Sequence, residues 1–296
     1  MASAFTCSLS PSYRHPDRSN STCRPARLHT ASIICRCYNG TMDIDLAVVT
    51  GGAGGLGRLV TQRLADRGLC VVIADTDQVA ATQLVTELRE RGRRAVFVET
   101  DAADAEAVER LLRQTADLGT LRVLVNNAGG WLPGPQYPEA RKWRRSVDLN
   151  LVMPMLAAQL GVPMMINSGG SITNVSSSGG MGSRAYGSPE YGAAKAGLIR
   201  FTSCVADWAD GHGIRVNCVV PHWIDLDRAR REFEQLTAQE KQDSGGLVDP
   251  DLVADTVVTL ALDGRSVGRT VVIRADRRPY DVDPGSADPH EHRLSR

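Results

Sequence analysis

Short apolar runs alternate with longer amphipathic stretches along most of this chain. The runs are Leu46–Thr50, Leu69–Ala74, Ala95–Val98, Val123–Asn126, Ser171–Val175, Arg215–Val220 and Thr270–Arg274. They are rich in Val and nearly continuous in apolar residues, the pattern of strands buried on both faces. Between them, Arg58–Arg67, Gln78–Arg91, Ala105–Ala116, Pro138–Leu160, Pro189–Asp210 and Leu252–Leu262 read as helices. In the second of these, Val79, Leu84 and Leu88 share one face. Strands alternating with helices predict an α/β fold. The expected form is a doubly wound parallel sheet of about seven strands, with helices on both faces. No internal repeat or linker splits residues 42–276, so they read as a single domain.

The two ends differ from this body. Residues 1–41 hold five arginines, many Ser and Thr and one acid, Asp17, and show no hydrophobic periodicity. Two readings stay open: an organelle transit peptide, which has this composition, or a leader upstream of a true start at Met42. Lysine is scarce in the body (Lys142, Lys195 and Lys241), which points to GC-rich coding and favours Met42. A cytoplasmic protein is then expected, or a plastid or mitochondrial one if the leader is a transit peptide. Residues 277–296 are polar, rich in Pro and Asp, and read as a loose tail.

Charge narrows the function. Basic and acidic residues balance at 34 each, which argues against a nucleic-acid surface. The run Arg141–Arg145 reads as a solvated helix face. No uninterrupted apolar stretch reaches the ~18 residues of a membrane helix. Seven cysteines, an odd number, read as free thiols, and Cys35-x-Cys37 lacks the second pair of a zinc site. No metal is expected.

The first strand runs into Thr50-Gly51-Gly52-Ala53-Gly54-Gly55-Leu56-Gly57 and then a helix. Glycines let the backbone approach a pyrophosphate, and the helix N-terminus offers free N–H groups. Asp75 ends the next strand, 18 residues beyond Gly57. A carboxylate there accepts both adenosine ribose hydroxyls and repels a 2′-phosphate, so NAD is expected over NADP. Farther on, Tyr191 and Lys195 stand at i and i+4, neighbours on a helix. A close ammonium favours the phenolate.

Together these pieces resemble the short-chain dehydrogenase/reductase family, over about Leu46 to Arg274. The likeness rests on residues 50–57, Asp75, Asp101, Asn126-Asn127-Ala128-Gly129, Asn150, Asn174-Val175-Ser176-Ser177, Tyr191 with Lys195, and Arg215-Val216-Asn217. It implies a Rossmann fold and an NAD-dependent oxidoreductase interconverting a small secondary alcohol and its ketone. By the same resemblance, Tyr191 is the general acid/base, Ser177 hydrogen-bonds the substrate oxygen, and Lys195 holds the nicotinamide ribose and depresses the tyrosine. Asn150 positions a water. Thr50, Gly51, Gly55, Leu56, Gly57, Asp75, Asp101, Ala102, Asn127, Ala128, Gly129, Pro221 and Ile224 contact the cofactor, with Tyr191 and Lys195. The family also implies a homodimer or homotetramer. Ser178 stays open beside Ser177: the N-x-S-S pattern selects Ser177, which lies 14 positions before Tyr191, whereas a spacing of 13 would select Ser178. Tyr186 has Glu190, not a lysine, four residues on.

The chain departs from the family after the sixth strand, where Pro221-His222 stands for the usual Pro-Gly and Leu226 for a common Thr. His222 reads as a turn residue, with a second titrating group near the nicotinamide as the open alternative. Residues 225–246 are expected to form a polar lid, with Trp131, Leu132 and Pro133 as the other wall and few aromatics in the pocket. Two alternatives are weighed. An NADPH-dependent reductase of carrier-bound 3-oxoacyl groups calls for a basic residue near Asp75 or in the glycine turn, where Thr76 and Gly54 stand. A non-catalytic dinucleotide sensor or scaffold would be expected to lose Tyr191, Lys195 or Asn150.

Overall fold

The computed structural model describes residues 44–131, 139–182 and 187–282. The leader, the C-terminal residues from 283, Leu132, Pro133 and Tyr186 lie outside the described residues.

Eight strands form one sheet: β1 (Asp45–Thr50), β2 (Cys70–Asp75), β3 (Ala95–Glu99), β4 (Thr120–Asn126), β5 (Gly170–Val175), β6 (Ile214–Pro221), β7 (Thr270–Ile273) and β8 (Tyr280–Asp281). Their order is β3-β2-β1-β4-β5-β6-β7-β8. All pairings are parallel except the last, β7 with β8. The chain reverses its direction of winding between β1 and β4, the switch point at which such sheets bind ligands. Leu46, Ala47, Val48 and Val49 of β1 are all fully buried, as a strand covered on both faces requires.

The helices are α1 (Gly55–Asp66), α2 (Gln78–Glu90), α3 (Ala105–Ala116), α4 (Ala140–Val147), α5 (Met153–Met165), α6 (Pro189–Cys204), α7 (Trp208–His212), α8 (Asp227–Glu234), α9 (Ala238–Ser244) and α10 (Pro250–Leu262). One face of the sheet packs on α1, α2 and α10, where Leu64, Leu84, Leu88 and Val257 join the strand residues Val49, Val71 and Ile73 in a continuous core. On the other face α5 packs against α3 and α6.

The structure differs from the sequence pattern in five places. Val79, read on one face with Leu84 and Leu88, is exposed while those two are fully buried. The sheet has an eighth strand inside the segment read as a loose tail. Two residues are too few to carry a pattern, and β8 is held by pairing with Val271 and Val272. The helix read over Pro189–Asp210 ends at Cys204. Buried Val205 leaves helical geometry, and Trp208 folds back edge-on to Phe201 with ring centroids 6.2 Å apart. The helix read over Pro138–Leu160 is broken by a π-helical turn, Asp148–Val152. Finally, the polar lid segment contains two helices, and α9 opens with a capping box in which Thr237 and Glu240 satisfy each other's backbone N–H groups.

Candidate active site

The carboxyl ends of β1 to β6 and the loops after them enclose a cleft of about 530 Å³. Gly51, Gly54, Gly55, Leu56 and Gly57 line it from the first turn, Asp75 and Thr76 from the second, and Thr100, Asp101 and Ala102 from the third. Asn127 to Trp131 follow β4, Ser176 to Ser178 follow β5, and Pro221 to Ile224 close β6. Tyr191 and Lys195 enter from α6, and Arg228 from α8. The described cleft therefore gathers the sequence-predicted residues, with two exceptions. Thr50 and Asn150 stand behind its wall.

The glycine turn is shaped by close approach. A Cβ at Gly57 would lie 1.9 Å from the Gly51 carbonyl oxygen, so no side chain fits there. Gly51 has φ of 62°, in the left-handed region. Asn127 ties the turn to β4: its side-chain amide donates to the carbonyls of Thr50 (2.9 Å) and Gly51 (3.1 Å). The Thr50 hydroxyl accepts from the amides of Asn127 and Ala128, both at 3.0 Å. Thr50 thus braces the loop rather than facing the cleft.

Two features fit the turn to a pyrophosphate. Gly54, the N-cap of α1, has no side chain to cap the helix, and the first turn holds no acid. Amides and helix dipole are left to an anion. At the end of β2, the Asp75 carboxylate accepts the amides of Ala53 (2.9 Å) and Asp77 (3.1 Å), which fixes its orientation at the cleft. Arg58, the basic residue next to the turn, is paired with Glu87. Asp101 is paired with Arg145 at 2.9 Å. Burial alone would raise the Asp101 carboxyl, but the Ala103 amide and Arg145 outweigh it and hold it below the usual range. Arg141–Arg145 is exposed along its length, as a solvated face requires, and Arg145 also borders the cleft.

At the other end, Tyr191 is buried on the first turn of α6, with the Trp131 ring edge-on at 6.2 Å. Its phenol shares a hydrogen bond with Ser177. Ser176 is spent elsewhere, donating to the Lys195 carbonyl at 2.8 Å. Burial pushes the Tyr191 phenol upward, against the pull of the Ser177 hydrogen bond and the Arg228 charge. The depressed tyrosine expected from the sequence is thus not the state of the protein by itself. Lys195 lies beneath the ring, its Nζ 5.7 Å from the ring centroid, and donates to the Val175 carbonyl at 2.9 Å. Burial lowers the Lys195 ammonium to about 8.

Asn150 occupies the π-helical turn and is fully buried. Its oxygen accepts the Gly130 amide at 2.9 Å, and its nitrogen donates to the carbonyls of Gly130 (3.0 Å) and Ser146 (2.9 Å). A Cβ at Gly129 would meet Asn150 Oδ1 at 2.8 Å and Lys195 Nζ at 3.0 Å, so glycine lets these groups close together.

The pocket expected to hold few aromatics is in fact aromatic. Trp131 and Trp223 both line it, 5.8 Å apart and edge-on, and Phe233 of α8 backs Trp223 at 6.3 Å. The sequence signal was present in Trp223 and Phe233, but their convergence depends on how α8 packs. Arg228 was missed because it is one arginine in a charged run. His222 lines the cleft, and its amide donates to the Ile273 carbonyl at 2.9 Å.

A protein-family model described as short chain dehydrogenase matches residues 45–237. Cis-4-hydroxycyclohexanecarboxylate dehydrogenase of Sinomonas cyclohexanicum is 36% identical over 239 residues, covering 78% of this chain and 94% of that protein. The Homo sapiens protein named 15-hydroxyprostaglandin dehydrogenase, NAD(+), is 29% identical and covers 82% of this chain and 97% of its own. A crystal structure described as a metagenomic short-chain oxidoreductase in complex with NADP is 28% identical, with a TM-score of 0.64. It covers 78% of this chain and 96% of that one.

Proposed function

This chain belongs to the short-chain dehydrogenase family and is an NAD(P)-dependent oxidoreductase of alcohol or ketone substrates; we propose that it uses NAD on a small secondary alcohol or its ketone. One observation carries the reading: two hydroxyls, of Tyr191 and Ser177, are hydrogen-bonded to each other at the end of the cleft opposite Asp75.

The NAD preference rests on Asp75. Its carboxylate faces the cleft, and Arg58, the basic residue that follows the glycine turn in sequence, is turned to Glu87. A 2′-phosphate would meet a negative charge there. A bound nicotinamide supplies or accepts the hydride. The protein's own residues handle the proton and the charge. Tyr191 gives a proton to the ketone oxygen, or takes it from the alcohol, and Ser177 donates a hydrogen bond to the same oxygen. Lys195, held at the Val175 carbonyl, presents a cation below the phenol. Asn150 acts as a positioning residue, fixing the Gly129–Gly130 backbone beside Lys195.

We also assign a self-associating surface to α4 and α5. Four of the exposed large apolar residues among those described, Trp143, Val152, Met155 and Ile166, fall on or beside these helices.

Fluorescence titration with NADH and NADPH tests the cofactor assignment. The wild type is expected to bind NADH more tightly. Asp75→Ala should weaken NADH by roughly 10- to 100-fold, the weight of one or two charge-assisted hydrogen bonds, and should not weaken NADPH. Tighter NADPH binding by the wild type would sink the Asp75 argument and promote a biosynthetic reductase.

A further inference from the structure

Charged groups line the cleft at two separate places. Asp75, Asp101 and Arg145 stand at the β2 and β3 end, the last two paired with each other. Lys195 is buried and bound to a carbonyl. At the Tyr191 end, Arg228 is the arginine among the described lining residues. It is a different kind of group from a wandering surface cation. Its guanidinium carbon lies 4.2 Å from the Trp131 ring centroid, stacked on the ring. Nη2 donates to the Trp131 carbonyl at 2.7 Å, and Nε reaches the Glu232 carboxylate at 3.3 Å. Two nitrogens and one face are thereby fixed. Among the described residues Nη1 carries no hydrogen bond, and it points along Gly130, where an added Cβ would lie 3.9 Å away.

The walls beside it suit a compact apolar frame. The Trp131 ring touches both the Tyr191 and Trp223 rings edge-on. A substrate whose carbinol reaches Tyr191 therefore lies along Trp131, and its far side meets the guanidinium stacked on that ring. The Arg228 charge is felt at the Tyr191 phenol, which places the two groups within electrostatic reach. An arginine held by stacking loses little freedom when it binds a carboxylate.

Building on the alcohol–ketone reading, we propose that Arg228 is a specificity-determining residue that binds a carboxylate, so that the substrate is a small hydroxy- or oxo-acid with a ring-sized apolar frame. The rival is that Arg228 serves only as a latch, pinning α8 to the loop after β4.

The test compares 4-oxocyclohexanecarboxylate with cyclohexanone, with NADH, in the wild type, Arg228→Met, Arg228→Lys and Glu232→Gln. The wild type should favour the acid by at least about tenfold in kcat/KM, mainly through KM, the weight of one good charge-assisted contact. Arg228→Met should abolish that ratio and Arg228→Lys keep part of it. Glu232→Gln, which removes the competing carboxylate, should raise it. A wild type indifferent to the acid, or an Arg228→Met that lowers both substrates alike, overturns the proposal in favour of the latch. A turnover-independent measurement separates this from the parent reading: quenching of tryptophan fluorescence by cyclohexanecarboxylate against cyclohexanecarboxamide. Carboxylate-selective quenching lost in Arg228→Met supports Arg228 even if no ketone is reduced. Equal quenching by both overturns it even if ketones are.

Discussion

At the residue scale, Lys195 is where pH acts most directly on this structure. Burial lowers its ammonium from the ordinary lysine value of 10.5 to about 8. The folded protein therefore releases this proton earlier than the unfolded chain does. Between those values the unfolded state binds more protons, so stability from this group rises with pH and is least below about 8. Denaturant unfolding of the wild type and Lys195→Met should show it. The wild type should gain on the variant between pH 8 and 9, below the range where Tyr191 titrates. A gain in the opposite direction would mean that Lys195 keeps its charge through an acidic partner. The same residue explains why YxxxK is easier to find than to interpret. The i, i+4 spacing predicts neighbours, and they are neighbours, but Nζ goes to the Val175 carbonyl rather than to an acid. A main-chain partner 20 residues away leaves no mark on local sequence.

Elements explain why the catalytic end is ordered. Most were legible, because buried parallel strands are continuous apolar runs and the glycine turn and Asp75 fall at strand ends. What escaped was made by packing alone: the break after Cys204, the two-residue β8, and the meeting of Trp131, Trp223 and Arg228. The π-helical turn at Asp148–Val152 is the clearest case, since its residues keep a helical pattern while the extra residue per turn carries Asn150 into the Gly130 backbone. Asn150→Ala should leave the half-buried Gly130 amide and carbonyl without that partner, a loss of about 1–3 kcal/mol in unfolding free energy. Activity should fall further than stability explains, because Gly129 and Lys195 share the contact. Unfolding and kcat measured on the same preparation check both, and an unchanged midpoint would show that water replaces the side chain.

For the whole molecule, the long helix run from Ala140 to Met165 is apolar enough by composition to cross a membrane, with about a third of its most apolar stretch buried. In this fold it packs on α3 and α6 and places Asn150 behind the cleft wall, against the Gly130 backbone. Its outward apolar residues call for another partner, and a second copy satisfies them by symmetry. Sedimentation velocity should find a dimer or tetramer, and Met155→Glu should shift it toward a smaller species. A wild-type monomer at micromolar concentration would contradict this assignment and leave the cleft chemistry untouched.

The central claim is that Tyr191 moves the substrate proton in a site that binds dinucleotide without it. Tyr191→Phe removes one oxygen and keeps the ring that meets Trp131. The decisive measurement pairs NADH titration with the rate of ketone reduction in this variant. The account predicts NADH affinity within about twofold of wild type and a reduction rate lower by about 10²–10⁴, the usual share of general acid catalysis. A Tyr191→Phe protein that binds NADH and reduces ketones at the wild-type rate would contradict it.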